Sequence, residues 1–221
     1  MKNEKKLCSV VLVCFVMLLT ACNNIGNILT GKAQYPADQA TSYEKALEVV
    51  KEKLDLGKVK IFSLHFMEGE QLSNDLTHIL VRMVNQDNFA YDQTFSLDGT
   101  VGNMNQYESS IDVINYADIK GIDITKINTK EIEDYITEAK KMLPEKHSFK
   151  SIIYYDIEEV LPSPNAQSNK KRNIGSQKTI FRLSFTEDGK EYETSAGVTS
   201  IIYYEAEATV NPDGKLSLEC K

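Results

Sequence analysis

The chain of 221 residues predicts an α+β fold of two successive units, each one helix followed by antiparallel strands. Three observations predict it. Helical periodicity occurs twice, once near the start of each half. Each helix precedes short runs rich in β-branched and aromatic residues, and an Asp-Gly pair closes the last long run of either half.

In the first unit, residues 41–54 (TSYEKALEVVKEKL) place Tyr43, Ala46, Leu47, Val50 and Leu54 on one helical face and charged residues on the other. Thr41 followed by Glu44 predicts a capping box satisfying orphan N–H groups of the first turn, and Gly57 predicts the C-terminal stop. Strands are expected at 59–67 (VKIFSLHFM), 77–84 (THILVRMV) and 89–97 (FAYDQTFSL), the last running into the turn Asp98-Gly99.

In the second unit, residues 129–143 (TKEIEDYITEAKKML) are amphipathic through Ile132, Ile136, Ala139 and Leu143 and stop at Pro144. Strands are expected at 151–160, 179–186 and 201–210. Asp188-Gly189 turns into a short stretch at 191–195, and Asp213-Gly214 into a last strand at 216–218. Glu205, Glu207 and Thr209 alternate with Ala206, Ala208 and Val210, which predicts a sheet covered on one face only. Between the units, 100–128 is polar, with a short strand expected around Ile111, Val113 and Ile114. Residues 161–178 hold two prolines, Gly175 and the triplet Lys170-Lys171-Arg172, and predict a long surface loop of the kind that often carries function.

A helix laid on a curved antiparallel sheet resembles the cystatin-like and PepSY-like families, including tandem versions in exported bacterial proteins. The resemblance rests on element order over residues 41–221. Cystatins inhibit proteases through a Q-x-V-x-G hairpin, which is absent here, so inhibition is not carried over.

The N-terminus explains where such a body would work. Lys2, Lys5 and Lys6 precede an apolar run at 7–19. A membrane-spanning helix needs about 20 apolar residues, whereas about 10–14 suit the core of an export signal. The run ends in Leu19-Thr20-Ala21-Cys22, which resembles the bacterial lipobox. That resemblance implies cleavage before Cys22 and its lipidation with diacylglycerol. The expected organisation is a signal peptide at 1–21, a lipidated flexible tether at 22–40, and α+β repeats at 41–128 and 129–221. Each buried acyl CH₂ contributes about 0.8 kcal/mol, so two chains hold firmly where one is marginal. Asn23 follows the cysteine where an acidic residue would signal inner-membrane retention, so in a diderm cell the outer membrane is favoured.

The whole chain carries net charge −7, and loss of three lysines and Glu4 with residues 1–21 leaves −9. Such a surface repels a phosphate backbone, which argues against nucleic acid as partner. Cleavage also removes Cys8 and Cys14, and acylation consumes Cys22. Cys220 is then left with no cysteine to pair, and no intrachain disulfide is expected in the mature form.

Signatures of chemistry are sparse. His65, His78 and His147 lack i,i+4 spacing or a cysteine partner for zinc, and no G-x-S-x-G, phosphate loop or calcium loop occurs. No cofactor and no metal is therefore expected. The pairs Tyr154-Tyr155 and Tyr203-Tyr204 lie in strand-like stretches, where neighbours point to opposite faces. Each pair is expected to place one ring in the core and one on the open sheet face, making the four tyrosines a candidate interaction face. Tyrosine also fills strands through β-propensity alone. The resulting expectation is a membrane-anchored, non-catalytic binding module for a protein or an envelope polymer. The alternatives are an envelope hydrolase using strand-borne acids among Asp156, Glu158 and Glu159, and an accessory subunit of an envelope complex.

Overall fold

The computed structural model describes residues 33–195, 198–211 and 213–220. The signal peptide, Cys22 and the tether up to residue 32 lie outside the described residues. The first half comprises α1 (Ala40–Lys53), β1 (Val59–Glu68), β2 (Leu76–Asn85), β3 (Ala90–Ser96) and the two-residue β4 (Asn105–Gln106). The second comprises α2 (Thr129–Lys141), β5 (His147–Glu159), the short α3 (Ala166–Asn169), β6 (Gln177–Glu187), β7 (Tyr192–Ser195), β8 (Val198–Ile201), β9 (Tyr204–Val210) and β10 (Leu216–Cys220).

The fold is α+β. An eight-stranded antiparallel sheet runs in the order β10-β9-β6-β5-β1-β2-β3-β4, with β7-β8 as a separate hairpin. The first strand after each helix, β1 and β5, meet in the middle of the sheet, from Ser63 opposite Glu158 to Met67 opposite Tyr154. From this seam the chain order runs outward in both directions.

The helices α1 and α2 cover the same face and lie antiparallel to each other. Thr129 Oγ1 donates to Glu44 at 3.1 Å, the Ala40 N–H to Glu133 at 3.1 Å, and Lys140 binds Asp38. Under them lies one continuous core in which Tyr43, Leu47 and Val50 of α1 and Ile132, Ile136 and Ala139 of α2 share a cluster with Leu64, Phe66, Tyr155, Phe181 and Leu183 of the sheet. Full burial of such side chains contributes about 1.5–3 kcal/mol each. A smaller cluster of Phe62, Val84, Ala90, Ile119 and Leu161 sits on the other face, where the chain at 107–119 roofs one end of the sheet. A β-bulge between Ile61 and Ser63 sends Ile61 into the main core and Phe62 into this second one.

The structure departs from the sequence expectations in several places. Thr41 lies inside α1 rather than capping it. Gln39 is the N-cap, with no side-chain capping bond, and Glu133 of α2 takes the Ala40 N–H instead. The tertiary contact supplies what the capping box was expected to supply. For α2 the cap is Asn128, whose side chain accepts the Glu131 N–H at 3.3 Å.

Residues 35–37, expected at the end of a flexible tether, are packed. The Leu76 N–H donates to Tyr35 O at 2.8 Å, the Ala37 N–H donates to Asn74 O at 2.8 Å, and Ala37 is buried. No strand forms at 111–114, where the Val113 N–H instead binds Pro162 O at 2.7 Å. In the full 221-residue chain Cys220 is disulfide-bonded, whereas the expectation of no intrachain disulfide concerns a chain without residues 1–21. The other three cysteines lie outside the described residues.

Asp38 joins the two halves electrostatically. Burial raises its pKa, but the Lys140 and Asn74 hydrogen bonds outweigh this and hold the carboxyl below its ordinary 3.8. The folded state therefore binds fewer protons than the unfolded one. The stability this contributes is complete above about pH 4 and is lost as pH falls through the lower folded value. Asp38→Asn is expected to cost about 1–2 kcal/mol at about pH 7, and the gap to the parent should narrow towards about pH 2. Thermal melts across that range check it, and a gap independent of pH contradicts it.

Candidate functional site

The face of the sheet opposite the helices carries the polar side chains that strand alternation sends outward. Cross-strand pairing arranges them in rows. Through the centre of the seam one row reads Thr94, Leu80, His65, Asp156, Ile180, Thr209 across six strands. The adjacent row reads His78, Met67, Tyr154, Arg182, Glu207. On the other side Asp92, Arg82, Ser63 and Glu158 stand in line.

At the centre His65 Nδ1 is hydrogen-bonded to Asp156 Oδ1, and both side chains are partly exposed. The His65 ring lies 5.4 Å from that of Tyr154. Tyr154 donates from its hydroxyl to Glu207 at 3.1 Å, and the Arg182 guanidinium lies 5.2 Å from the centre of its ring. Arg182 bridges two carboxylates, donating to Glu205 at 3.3 Å and to Glu207 at 3.1 Å. Burial pushes the Tyr154 hydroxyl up to about 12, Arg182 opposing and Glu207 reinforcing the shift. The phenol is thus a neutral donor throughout the physiological range.

Across the seam Arg82 stands 4.0 Å from Glu158 and 4.9 Å from the Tyr107 ring at the edge of the roof. The Nε atoms of both Arg82 and Arg182 are buried with no acceptor among the described residues.

The Tyr154-Tyr155 pair divides as expected and the Tyr203-Tyr204 pair does not. Tyr154 reaches the open face. Tyr155 is buried in the main core, its ring stacked on Phe181 at 5.1 Å, as alternation requires of its neighbour. The second pair fails as a strand pair because β9 starts at Tyr204. Tyr203 precedes the strand, is buried, and contacts Gln71 through its hydroxyl. Tyr204 packs on Phe185 at 5.7 Å on the helix-covered side. The four rings therefore form no common platform. Burial of Tyr155 and Tyr203 removes both from the open face, which keeps Tyr154.

Of the three acids considered for hydrolysis, Asp156 is held by His65 and Glu158 lies near Arg82. Glu159 is buried and accepts the Lys120 and Gly121 N–H groups at 2.9 and 2.7 Å, a structural clamp. Among the described residues no Ser, Thr or Cys side chain hydrogen-bonds His65, and no group of three His, Cys, Asp or Glu gathers to hold a metal. In the 161–178 loop Arg172 is tied down by Asp112 at 2.6 Å and Leu161 O at 2.8 Å, while Lys170 and Lys171 are exposed.

Sequence reasoning placed Glu205 and Glu207 on one face but overlooked Arg182 and the His65–Asp156 pair. The alternation of Ile180, Arg182 and Ser184 against Phe181, Leu183 and Phe185 points Arg182 outward. Its partners depend on register between strands far apart in sequence. No family model, no curated protein and no solved structure matches this chain.

Proposed function

We propose that this chain is a lipid-anchored envelope protein whose α+β body is a non-catalytic binding module, engaging a protein or envelope-polymer partner through the open sheet face around Tyr154 and Arg182. One observation carries the reading. Tyr154, Arg182, Glu205 and Glu207 are held by one another on rigid strands, each only partly buried, so the array is pre-organised without a partner. The anchor rests on the lipobox-like ending at Cys22.

The body is a tandem of two α-β-β-β units of cystatin- or PepSY-like order, joined strand to strand at the β1–β5 seam. Register supports it. A rotation about the seam that exchanges His65 with Asp156 also exchanges Ser63 with Tyr154, Arg82 with Arg182, Asp92 with Glu207 and Thr94 with Thr209. Continued along the chain, the same offset brings Asp98-Gly99 onto Asp213-Gly214. The hydrolase alternative retains one favourable observation, the His65–Asp156 pair, whose geometry leaves His65 Nε2 available for proton transfer.

Detergent-solubilised membranes provide the test. The wild-type chain should retain a partner that Tyr154→Ser and Arg182→Ala each lose at least tenfold, while Tyr204→Ser on the opposite side keeps it. Equal retention by all three variants removes the open-face reading. Cys22→Ser should abolish incorporation of a labelled fatty acid, and incorporation that survives the change removes the anchor.

A further inference from the structure

The helix-covered side holds a slot of about 270 Å³ between α2 and the start of β6. We propose that it binds a small organic ammonium ion of amino-sugar size, with Glu131 holding the charge and Tyr135 and Ile157 taking the apolar face of the carbon skeleton. The slot stands on its own geometry and lies on the side of the sheet opposite Tyr154 and Arg182. Its existence and its test are therefore independent of the open-face reading.

Comparison of the halves shows why space remains here. Ahead of α1, the strap at 35–37 is zipped onto the start of β2 by the Tyr35 and Ala37 backbone bonds, and the Tyr43 hydroxyl donates to Ala37 O at 2.7 Å. The Tyr43 ring packs edge-on against Phe66 at 5.1 Å, so the corner is full. Ahead of α2, the strap at 121–128 is held elsewhere, with the Ile122 N–H on Ile61 O at 2.7 Å and the Gly121 N–H on Glu159. Among the described residues no hydrogen bond joins it to β6. The positions of the two rings, counted from the helix start and from the seam, carry Ile132 and Ile157. Where the first half has two aromatic rings the second has smaller side chains, and the gap is lined also by Tyr155, Gln177 and Thr179.

The lining selects the ligand. Its volume equals that of about nine waters at 30 Å³ each, the scale of one sugar ring. Ile132 and Ile157 give apolar floor, and the Tyr135 ring gives a face for CH groups and for a cation. Gln177 and the Thr179 and Tyr155 hydroxyls supply hydrogen-bonding groups. Two carboxylates, Asp123 and Glu131, face one ammonium, Lys126, which is already 2.9 Å from Asp123. Glu131 accepts the Tyr135 hydroxyl at 3.1 Å and has no ion-pair partner among the described residues. An anion would meet net repulsion, and a neutral sugar would leave the Glu131 charge unused.

Calorimetric titration of the full-length chain with glucosamine, and with N-acetylglucosamine as the neutral counterpart, tests the proposal. Glucosamine should bind saturably and at least tenfold more tightly than the acetylated sugar. Glu131→Gln, at an exposed position whose backbone cap is unchanged, should melt as the parent does and lose that preference. Absence of glucosamine binding, equal affinity for the two sugars, or a preference that survives Glu131→Gln overturns it. The wild-type comparison decides the matter even if the variant is unstable.

Discussion

Tyr43→Ala is expected to lower the unfolding free energy by about 3–5 kcal/mol, the range for removing a large aromatic side chain from a core. The position explains the size. Tyr43 is fully buried in α1, and its ring meets Phe66 of β1 at 5.1 Å and Tyr155 of β5 at 5.6 Å, both edge-on. One side chain thus touches both sides of the seam, and aromatic pairs of this geometry add about 0.5–1.5 kcal/mol beyond area. Its hydroxyl also donates to Ala37 O at 2.7 Å, fastening the strap ahead of α1. Tyr43→Phe keeps the ring and orphans that carbonyl, for an expected cost of about 1–2 kcal/mol. Urea unfolding of parent and variants separates the terms. If alanine cost no more than phenylalanine, the ring contacts would contribute nothing and this account of the joint would be wrong.

The same residue shows what was legible beforehand. The helical face Tyr43, Ala46, Leu47, Val50 could be read from spacing alone, because 3.6-residue periodicity is local. The alternation of Glu205 and Glu207 with Ala206 and Ala208 was equally local, and α1, α2, β1, β2, β3 and β6 fall where these patterns put them, while β5 begins earlier, at His147, and the run expected at 201–210 divides between β8 and β9.

What failed was non-local. The Thr41–Glu44 pair has the spacing of a capping box, yet Glu133, 93 residues away, reaches the free N–H of Ala40. Tyr203-Tyr204 looks like Tyr154-Tyr155, yet the chain enters β9 only at Tyr204, after the β7–β8 hairpin. For the open face, His65 meets Asp156 and Arg182 meets Glu207 because β1 pairs with β5 and β6 with β9, and no single strand contains that information. A one-residue slip in either ladder would have turned these side chains to the other face.

Glu159→Ala is the second large effect, expected to cost about 3–4 kcal/mol. Sequence alone offers Glu159 as a catalytic acid, since it follows Asp156 and Glu158 in an acidic strand. The structure gives it a different task, because its carboxylate is buried and takes two backbone N–H groups, from Lys120 at 2.9 Å and Gly121 at 2.7 Å. Hydrogen bonds to a charged acceptor contribute about 1.5–3 kcal/mol, and a buried donor left without one costs about 1–3 kcal/mol. These bonds fix the point at which the chain passes from one face to the other. Ile119 on one side enters the small core with Phe62 and Leu161, and Ile122 and Ile124 on the other enter the main core. Gly121 makes the turn with φ of +88°, a conformation that other residues adopt only with strain, so Gly121→Ala should add about 1 kcal/mol of its own. Glu159→Gln retains one acceptor and turns an N–H towards the second donor, and its cost should fall between parent and alanine. Amide exchange gives the sharper readout: the Lys120 and Gly121 amides should lose protection in Glu159→Ala while those of β9 stay protected. Unchanged protection at 120 and 121 would show that the clamp does not hold the crossing.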